Sequence, residues 1–145
     1  MLYLGSDHAG FMLKERIKQF LKGKVKFIDL GNKYYDPADD YVDFAVKVAK
    51  KINKNNKGIL FCGSSLGMCI AANKIRGVRA VSVHTIQEAE YSRLHNDANV
   101  LCLSGWNLSF GHSKKIIKTW LTTPFSKADR HIRRISKIKN LEKWK

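Results

Sequence analysis

The chain alternates short apolar runs with stretches whose apolar residues recur at helical spacing. The apolar runs lie at 2–5, 25–30, 58–61, 79–83 and 100–103. Between and after them, apolar residues recur every three or four positions, as in the stripe over 13–21, which is typical of amphipathic helices. Strands that alternate with helices form a parallel sheet covered on both faces. The sequence therefore predicts a three-layer α/β/α sandwich with a five-stranded parallel Rossmann-like sheet.

One domain accounts for the whole pattern. The 145 residues suit a single buried core, and no linker or repeat interrupts them, so we predict one domain over 1–145. Thr85 and Glu88 form a capping box that opens a helix. From about residue 129, apolar and basic residues alternate at helical spacing, which predicts a strongly basic C-terminal helix.

Because no apolar run spans a bilayer and no leader pattern is present, we expect a cytoplasmic protein.

Composition narrows the function classes without choosing among them. The chain carries 27 lysines and arginines against 12 acidic residues, a formal net charge of +15. Such an excess attracts nucleic acid or an anionic metabolite, and lysines on solvated helix faces produce it without any binding role. The three cysteines (Cys62, Cys69 and Cys102) are odd in number and lack zinc-site spacing, so we expect free thiols and no metal.

Polar residues follow the predicted strands at the edge of the sheet where ligands bind. In parallel α/β sheets, ligands lie beyond the carboxyl ends of the strands. The residues directly after the predicted strands are Ser6-Asp7-His8, Gly31, Cys62-Gly63-Ser64, His84 and Ser104-Gly105. The candidate chemistry therefore lies where the predicted fold would place a site.

Cys62 lies in a turn that joins a strand to a helix through small residues. Backbone amides at such a helix start bind anions, and the same positive end lowers the pKa of a nearby thiol. A thiolate beside these amides can remove a proton from a carbon next to a carbonyl while the amides hold the enediolate. A buried cysteine that packs as a small apolar side chain is the structural alternative.

Three familiar uses of such a turn do not fit this chain. A Walker loop has lysine after its last glycine, whereas Met68 follows Gly67. A cysteine phosphatase loop would place an arginine at position 68 to hold phosphate. A dinucleotide fingerprint would open the first strand–helix turn, which reads Gly5-Ser-Asp-His-Ala-Gly10. We therefore set aside the ATPase, phosphatase and dehydrogenase interpretations.

Five motifs lie in order along nearly the whole chain. They are Gly5-Ser-Asp-His-Ala-Gly-Phe11, Cys62-Gly-Ser-Ser-Leu-Gly67 with Ala71-Ala-Asn-Lys74, Gly77-Val-Arg-Ala80, Arg93-Leu-His-Asn-Asp-Ala-Asn-Val100, and Arg130-His-x-x-Arg134. Together they resemble the ribose-5-phosphate isomerase B family, which includes the galactose-6-phosphate isomerase subunits. The resemblance implies an aldose–ketose isomerase of the pentose phosphate pathway that interconverts D-ribose 5-phosphate and D-ribulose 5-phosphate without a cofactor.

The resemblance also implies roles for the residues of the Cys62 turn. Cys62 matches the base that moves a proton between C2 and C1 of the sugar. Ser64 stands where threonine is usual, with a hydroxyl that can assist proton movement at the substrate oxygens. The backbone amides of Gly63, Ser65 and Gly67 match the pocket that holds the oxyanion.

The remaining matches lie outside the turn. His95 matches the histidine that opens the furanose ring. The matched substrate contacts are Asp7, His8, Tyr41 and Asn96, together with Arg130 and Arg134, which like His8 match phosphate contacts. Sites of this family contain residues of two subunits, so a homodimer or a dimer of dimers is implied. Taken alone, the arginines suit a solvated helix face and His95 suits a helix-dipole partner, so these alternatives stay open.

Three positions depart from the family pattern. Ser65 stands where glycine is common, Val42 where proline is frequent, and Trp106 where a phosphate-binding arginine is frequent. If the backbone at Ser65 has a positive φ, serine is strained there.

Two rival functions stay open: isomerisation of galactose or allose 6-phosphate, and non-catalytic binding of nucleic acid or sugar phosphate. Trp120 and Trp144 are interpreted as core or tail packing.

Overall fold

The computed structural model describes residues 1–142, and strands alternate with helices as far as the last strand. The strands are β1 (Leu2–Ser6), β2 (Phe27–Asp29), β3 (Lys57–Cys62), β4 (Ala80–Ser82) and β5 (Val100–Ser104). The helices are α1 (His8–Leu21), α2 (Tyr41–Ala49), α3 (Leu66–Ala72), α4 (Ile86–Asn96), α5 (Phe110–Thr122) and α6 (Asp129–Leu141). The predicted order of elements is confirmed.

The five strands form one parallel sheet in the order β2-β1-β3-β5-β4. β3 is the central strand, and Cys62 at its carboxyl end lies opposite Ser104 of β5. The outer strands β2 and β4 pair over three residues each, fewer than the apolar runs at 25–30 and 79–83 predict. Each has a neighbour on one side only, so its end residues pack without extending the sheet.

Helices cover both faces of the sheet, as the three-layer prediction requires. On one face α1, α4 and α5 build a core whose largest member is the fully buried Trp120, in agreement with its predicted packing role. On the other face α2 and α3 pack Val48 and Met68 against the central strands. Trp144 lies outside the described residues.

The amino end of α1 approaches the backbone of β3 very closely. Asp7 caps α1 through its Oδ1, which accepts a hydrogen bond from the Gly10 amide at 2.8 Å. A Cβ on Gly10 would lie 2.1 Å from the carbonyl carbon of Phe61 and 2.6 Å from the backbone nitrogen of Cys62. Because only glycine leaves room for this approach, Gly10 lets Asp7 lie beside Cys62.

The last helices are formed as the sequence predicts. In the capping box, the Glu88 amide donates to Thr85 Oγ1 at 3.1 Å and the Thr85 amide donates to Glu88 Oε2 at 3.0 Å. The basic helix expected from about residue 129 is α6, which packs on α4. Among residues 1–142, no helix combines the length and apolar character needed to cross a membrane.

Candidate active site

Cys62 lies at the carboxyl end of β3, where α1 and α3 begin. The residue is 7% exposed, and the buried carboxylate of Asp7 lies beside its thiol. On the other side, the backbone amides of Ser65 and Met68 donate toward the sulfur. The thiol is thus enclosed between one carboxylate and two amides, an arrangement suited to moving a proton.

The pKa of the Cys62 thiol is raised to about 11. Burial is the largest cause, and the hydrogen bond and negative charge of Asp7 add to it. The amides of Ser65 and Met68 favour the thiolate but are outweighed. The expectation of a lowered pKa is therefore wrong for the single chain, because burial of the thiol and the neighbouring Asp7 carboxylate outweigh the effect of the helix start.

Ser65 shapes the turn that follows Cys62. Its backbone lies in the left-handed region, with φ of 70° and ψ of −15°, which is the strained conformation considered for this position. Its buried hydroxyl lies 2.5 Å from the hydroxyl of Ser82 on β4 and also donates to the Ser64 carbonyl. The Ser64 side chain is more exposed, and its Oγ lies 3.4 Å from the Leu66 amide nitrogen.

Two aromatic rings lie directly on glycines of this turn. The Tyr41 ring lies 2.7 Å from the position that a Cβ on Gly67 would occupy, and the Trp106 ring lies 2.5 Å from the same position on Gly63. The Trp106 amide donates to the Gly63 carbonyl at 3.1 Å, while 72% of the residue remains exposed. The two rings flank the turn, so the structure brings Tyr41, Gly63 and Gly67 together.

His8 opens α1 and is held by an acidic residue that no sequence motif singles out. The Nδ1 atom of His8 lies 2.7 Å from Oδ1 of Asp39. This hydrogen bond is the largest cause of a raised pKa for His8, with the charges of Asp39, Asp7 and Asp36 adding to it and burial opposing it. Asp39 is one of four aspartates between 36 and 43, and only the folded loop distinguishes it from the others.

His95 belongs to a second group of side chains, between α4 and α6. Its ring stacks on Tyr91 with a centroid distance of 5.0 Å and lies 4.6 Å from the ring of the buried His131. The pKa of His131 is lowered by burial first and then by the charges of His95, Arg130 and Arg134. Both arginines are exposed on α6.

This second group lies at the opposite edge of the sheet from Cys62. α4 starts after the carboxyl end of β4 and ends just before β5 begins at Val100. Ser104, the residue opposite Cys62, lies four residues further along β5, a distance of about 13 Å at the usual rise of a strand. His95 therefore cannot reach the Cys62 of its own chain.

The predicted site residues thus form two groups. The carboxyl-edge group contains Asp7, His8, Tyr41, Cys62, Gly63, Ser64, Ser65 and Gly67. The amino-edge group contains His95, Asn96, Arg130 and Arg134. Within residues 1–142, no cluster of three histidine, cysteine, aspartate or glutamate side chains could hold a metal ion.

Comparison with known proteins finds relatives over nearly the full chain. A family model described as Ribose/Galactose Isomerase matches residues 2–138. The probable ribose-5-phosphate isomerase B of Mycoplasma genitalium is 44% identical over 146 residues, which cover 98% of this chain and 95% of that one. Ribose-5-phosphate isomerase B of Mycobacterium tuberculosis H37Rv is 38% identical over 145 residues, covering 98% and 90% of the two chains.

Solved structures of ribose-5-phosphate isomerase B proteins also match this chain over nearly its full length. The crystal structure of the M. genitalium ribose-5-phosphate isomerase B with bound ribulose-5-phosphate has a TM-score of 0.94 at 43% identity and covers 99% of this chain and 97% of that one. The structure of the Clostridium thermocellum ribose-5-phosphate isomerase B has a TM-score of 0.93 at 39% identity, with the same coverage of both chains.

Proposed function

The chain belongs to the ribose/galactose isomerase family, and we propose that it interconverts D-ribose 5-phosphate and D-ribulose 5-phosphate at the Cys62 turn. The observation that carries this proposal is the Cys62 thiol, enclosed between the Asp7 carboxylate and the turn amides, in a fold shared with a relative that holds ribulose-5-phosphate. The expected enzyme class is therefore an aldose–ketose isomerase.

The enclosed thiol can carry the proton transfer. The Cys62 thiolate takes the proton from C2 of the open-chain aldose, and the C2 electrons move to the carbonyl oxygen, which gives an enediolate. The amides of the turn hold the negative oxygen. The thiol then returns the proton to C1, while a hydroxyl proton moves between the two oxygens with help from Ser64. The reaction is balanced without an oxidant or a cofactor.

We infer that two copies of the chain build each site. The carboxyl-edge group supplies the base and the amides, whereas His95 and the two arginines of α6 belong to the amino-edge group, and about 13 Å of β5 separates the two edges. A two-fold partner would bring its amino-edge group over the Cys62 turn, with His95 to open the sugar ring and Arg130 and Arg134 to bind phosphate. A homodimer is the smallest assembly that satisfies this requirement.

A composite site also accounts for the high pKa of the single chain's thiol. The arginines of a second copy would add positive charge to the site, and positive charge in the site favours the thiolate. The pKa of about 11 then describes the unassembled half, which keeps its thiol protonated until the site is complete.

Phosphate binding relies on groups other than the arginine frequent in the family. Trp106 occupies that position, and its ring lies on Gly63 with no positive charge to offer. We assign the phosphate to His8 of one chain and to Arg130 and Arg134 of the other.

The three free cysteines suit a reducing compartment, which supports a cytoplasmic location.

The family description names galactose as well as ribose, so a six-carbon sugar phosphate is the second candidate substrate. The test is a direct assay of the purified protein with ribose 5-phosphate, galactose 6-phosphate and allose 6-phosphate. We expect turnover of the five-carbon substrate and loss of that turnover in Cys62→Ala, with the fold retained by circular dichroism. Cys69→Ala, a matched substitution on α3, should keep activity. Full activity in Cys62→Ala would refute the mechanism.

A further inference from the structure

Asp39 is a buried carboxylate at the edge of the Cys62 site. Its side chain is only 4% exposed. Oδ1 accepts two hydrogen bonds from His8, one from the backbone amide at 3.0 Å and one from ring Nδ1 at 2.7 Å. Oδ2 accepts a third from the Asn32 side-chain amide at 3.1 Å. All three bonds place Asp39 directly behind the His8 ring.

The loop that carries Asp39 is anchored in the core by a buried lysine. Lys14 is fully buried, and its ammonium donates to the carboxylate of Asp29 at 2.8 and 2.9 Å and to the backbone carbonyl of Asn32. Lys14 thus fixes Asn32, and Asn32 holds Asp39. A continuous chain of hydrogen bonds therefore runs from the centre of α1 to the ring of His8.

The burial of Asp39 constrains the charge of His8. A buried carboxylate is costly unless a cation pairs with it, and its other side-chain partner, Asn32, is neutral. His8 is the cationic partner that the described residues supply. The other charged groups that act on His8, Asp7 and Asp36, are also acidic, and Tyr35 meets the ring edge-on at 6.3 Å. Only partial burial of the ring opposes protonation.

The second ring nitrogen of His8 is left for a ligand. Nδ1 is committed to Asp39, so the ring cannot turn without breaking a 2.7 Å bond. The side chain is still 36% exposed, and Nε2 has no hydrogen-bond partner among residues 1–142. In hydrolases a carboxylate behind a histidine sets its orientation and charge in the same way, while the outer nitrogen does the chemistry.

We propose that Asp39 is a positioning residue that keeps His8 positively charged and aims its Nε2–H at the phosphate of the substrate. The inference rests on the proposed function, in which His8 contacts that phosphate. Since the raised pKa of His8 keeps the ring charged above the ordinary value of about 6.5, phosphate binding should persist to a higher pH than an unpaired histidine allows, despite the missing arginine at position 106. The charge is lost as the pH rises through that raised pKa.

The direct test is an NMR titration of the His8 ring in the full-length protein, with His8→Gln used to assign its signal. Asp39→Asn should lower the titration midpoint of His8 toward about 6.5. Asp36→Asn, a matched change in the same loop that removes a charge without touching His8, should move the midpoint much less. An unchanged midpoint in Asp39→Asn would overturn the inference.

Kinetics separates positioning from simple support of the loop. At a pH above about 6.5 and below the titration midpoint of His8 in the wild-type protein, Asp39→Asn should raise the KM for ribose 5-phosphate, by up to roughly tenfold, with kcat within about twofold, because a charged hydrogen bond to phosphate is lost. The difference should shrink toward pH 6, where the ring is protonated in both proteins, and Asp39→Glu should restore part of the affinity.

Two other kinetic outcomes have distinct meanings. A KM increase in Asp39→Asn that is equal at every pH would mean that Asp39 only supports the loop, and this would refute its effect on charge. If His8→Gln left KM unchanged, the phosphate contact in the proposed function would fail. The His8 midpoint in Asp39→Asn would then still decide whether Asp39 controls the ring.

Discussion

The two groups of site residues are held in different ways. The carboxyl-edge group is fixed by backbone: Cys62 ends the central strand, Asp7 caps α1, and Gly10 brings the two together. The amino-edge group is fixed by side chains, through rings that stack between α4 and the basic α6. Proton transfer requires fixed distances, whereas phosphate binding by long arginines tolerates adjustment. Each half therefore has the rigidity that its proposed task requires.

The largest expected effect concerns whether the two groups act in one site. Cys62→Ala and His95→Ala should each lower kcat roughly 10²–10⁴-fold, because each removes a group to which we assign proton transfer. A mixed dimer of the two variants, purified through two different tags, contains one site with both groups intact. It should regain about half of the wild-type activity per dimer. A mixed dimer as inactive as its parents would show that Cys62 of one chain and His95 of the other do not form one site.

The next effect tests the backbone contact that only the carboxyl-edge group has. Gly10→Ala would place a Cβ within 2.1 Å of the β3 backbone, so the free energy of unfolding should fall by about 3 kcal/mol. Gly111→Ala is the matched control on α5, where a Cβ would meet nothing within 4 Å, and it should be neutral or stabilise by up to about 1 kcal/mol. Urea denaturation measures both. Equal stability of the two variants would contradict the close approach.

The smallest effect distinguishes the two groups by pH. Because the pKa of His131 is lowered in the folded chain, the unfolded chain binds a proton at this residue more readily. The contribution of His131 to stability is therefore present above a pH of about 6.5 and is lost as the pH falls toward the lowered pKa. His8 has the opposite sign: its contribution is complete below about 6.5 and is lost as the pH rises through the raised pKa.

Hydrogen exchange of the whole protein measures this difference. Between pH 7 and pH 5.5, after correction for intrinsic exchange rates, protection should fall in α6 and stay constant or rise in α1. Replacing His131 with leucine should make α6 insensitive to this change of pH, because the titrating group is gone. Equal loss of protection in both helices would contradict the assignment of the effect to His131.

The architecture follows from local patterns that one sequence displays. The alternation of strands and helices, the capping box at Thr85 and the basic last helix each depend on residues close together in the chain, so periodicity and capping rules suffice to predict them. The rule that ligands lie beyond the carboxyl ends of parallel strands likewise selects Asp7 and Cys62 from the order of the predicted strands alone. The edge strands are shorter than their apolar runs predict because the number of partners of a strand is a tertiary property.

The energetics of the site depend on contacts that no local rule reveals. The helix start after Cys62 predicts a lowered pKa, yet the pKa rises because the thiol is buried and because α1 brings a carboxylate to it. The pairing of His8 with Asp39 joins residues 31 positions apart, on a loop with several equivalent aspartates. The family resemblance suggests roles for Asp7, His8 and Cys62 but none for Asp39, and the direction in which each pKa shifts can be read only from the folded chain.

The aromatic ring that lies on Gly63 gives the molecule a built-in optical reporter. Trp120 is fully buried and should emit at short wavelength, whereas Trp106 is largely exposed beside Cys62 and should emit further to the red. A sugar phosphate that enters the turn, or a second chain that closes over it, would change the solvent around the Trp106 indole. The intrinsic fluorescence of the protein should therefore follow ligand binding and assembly without any added dye.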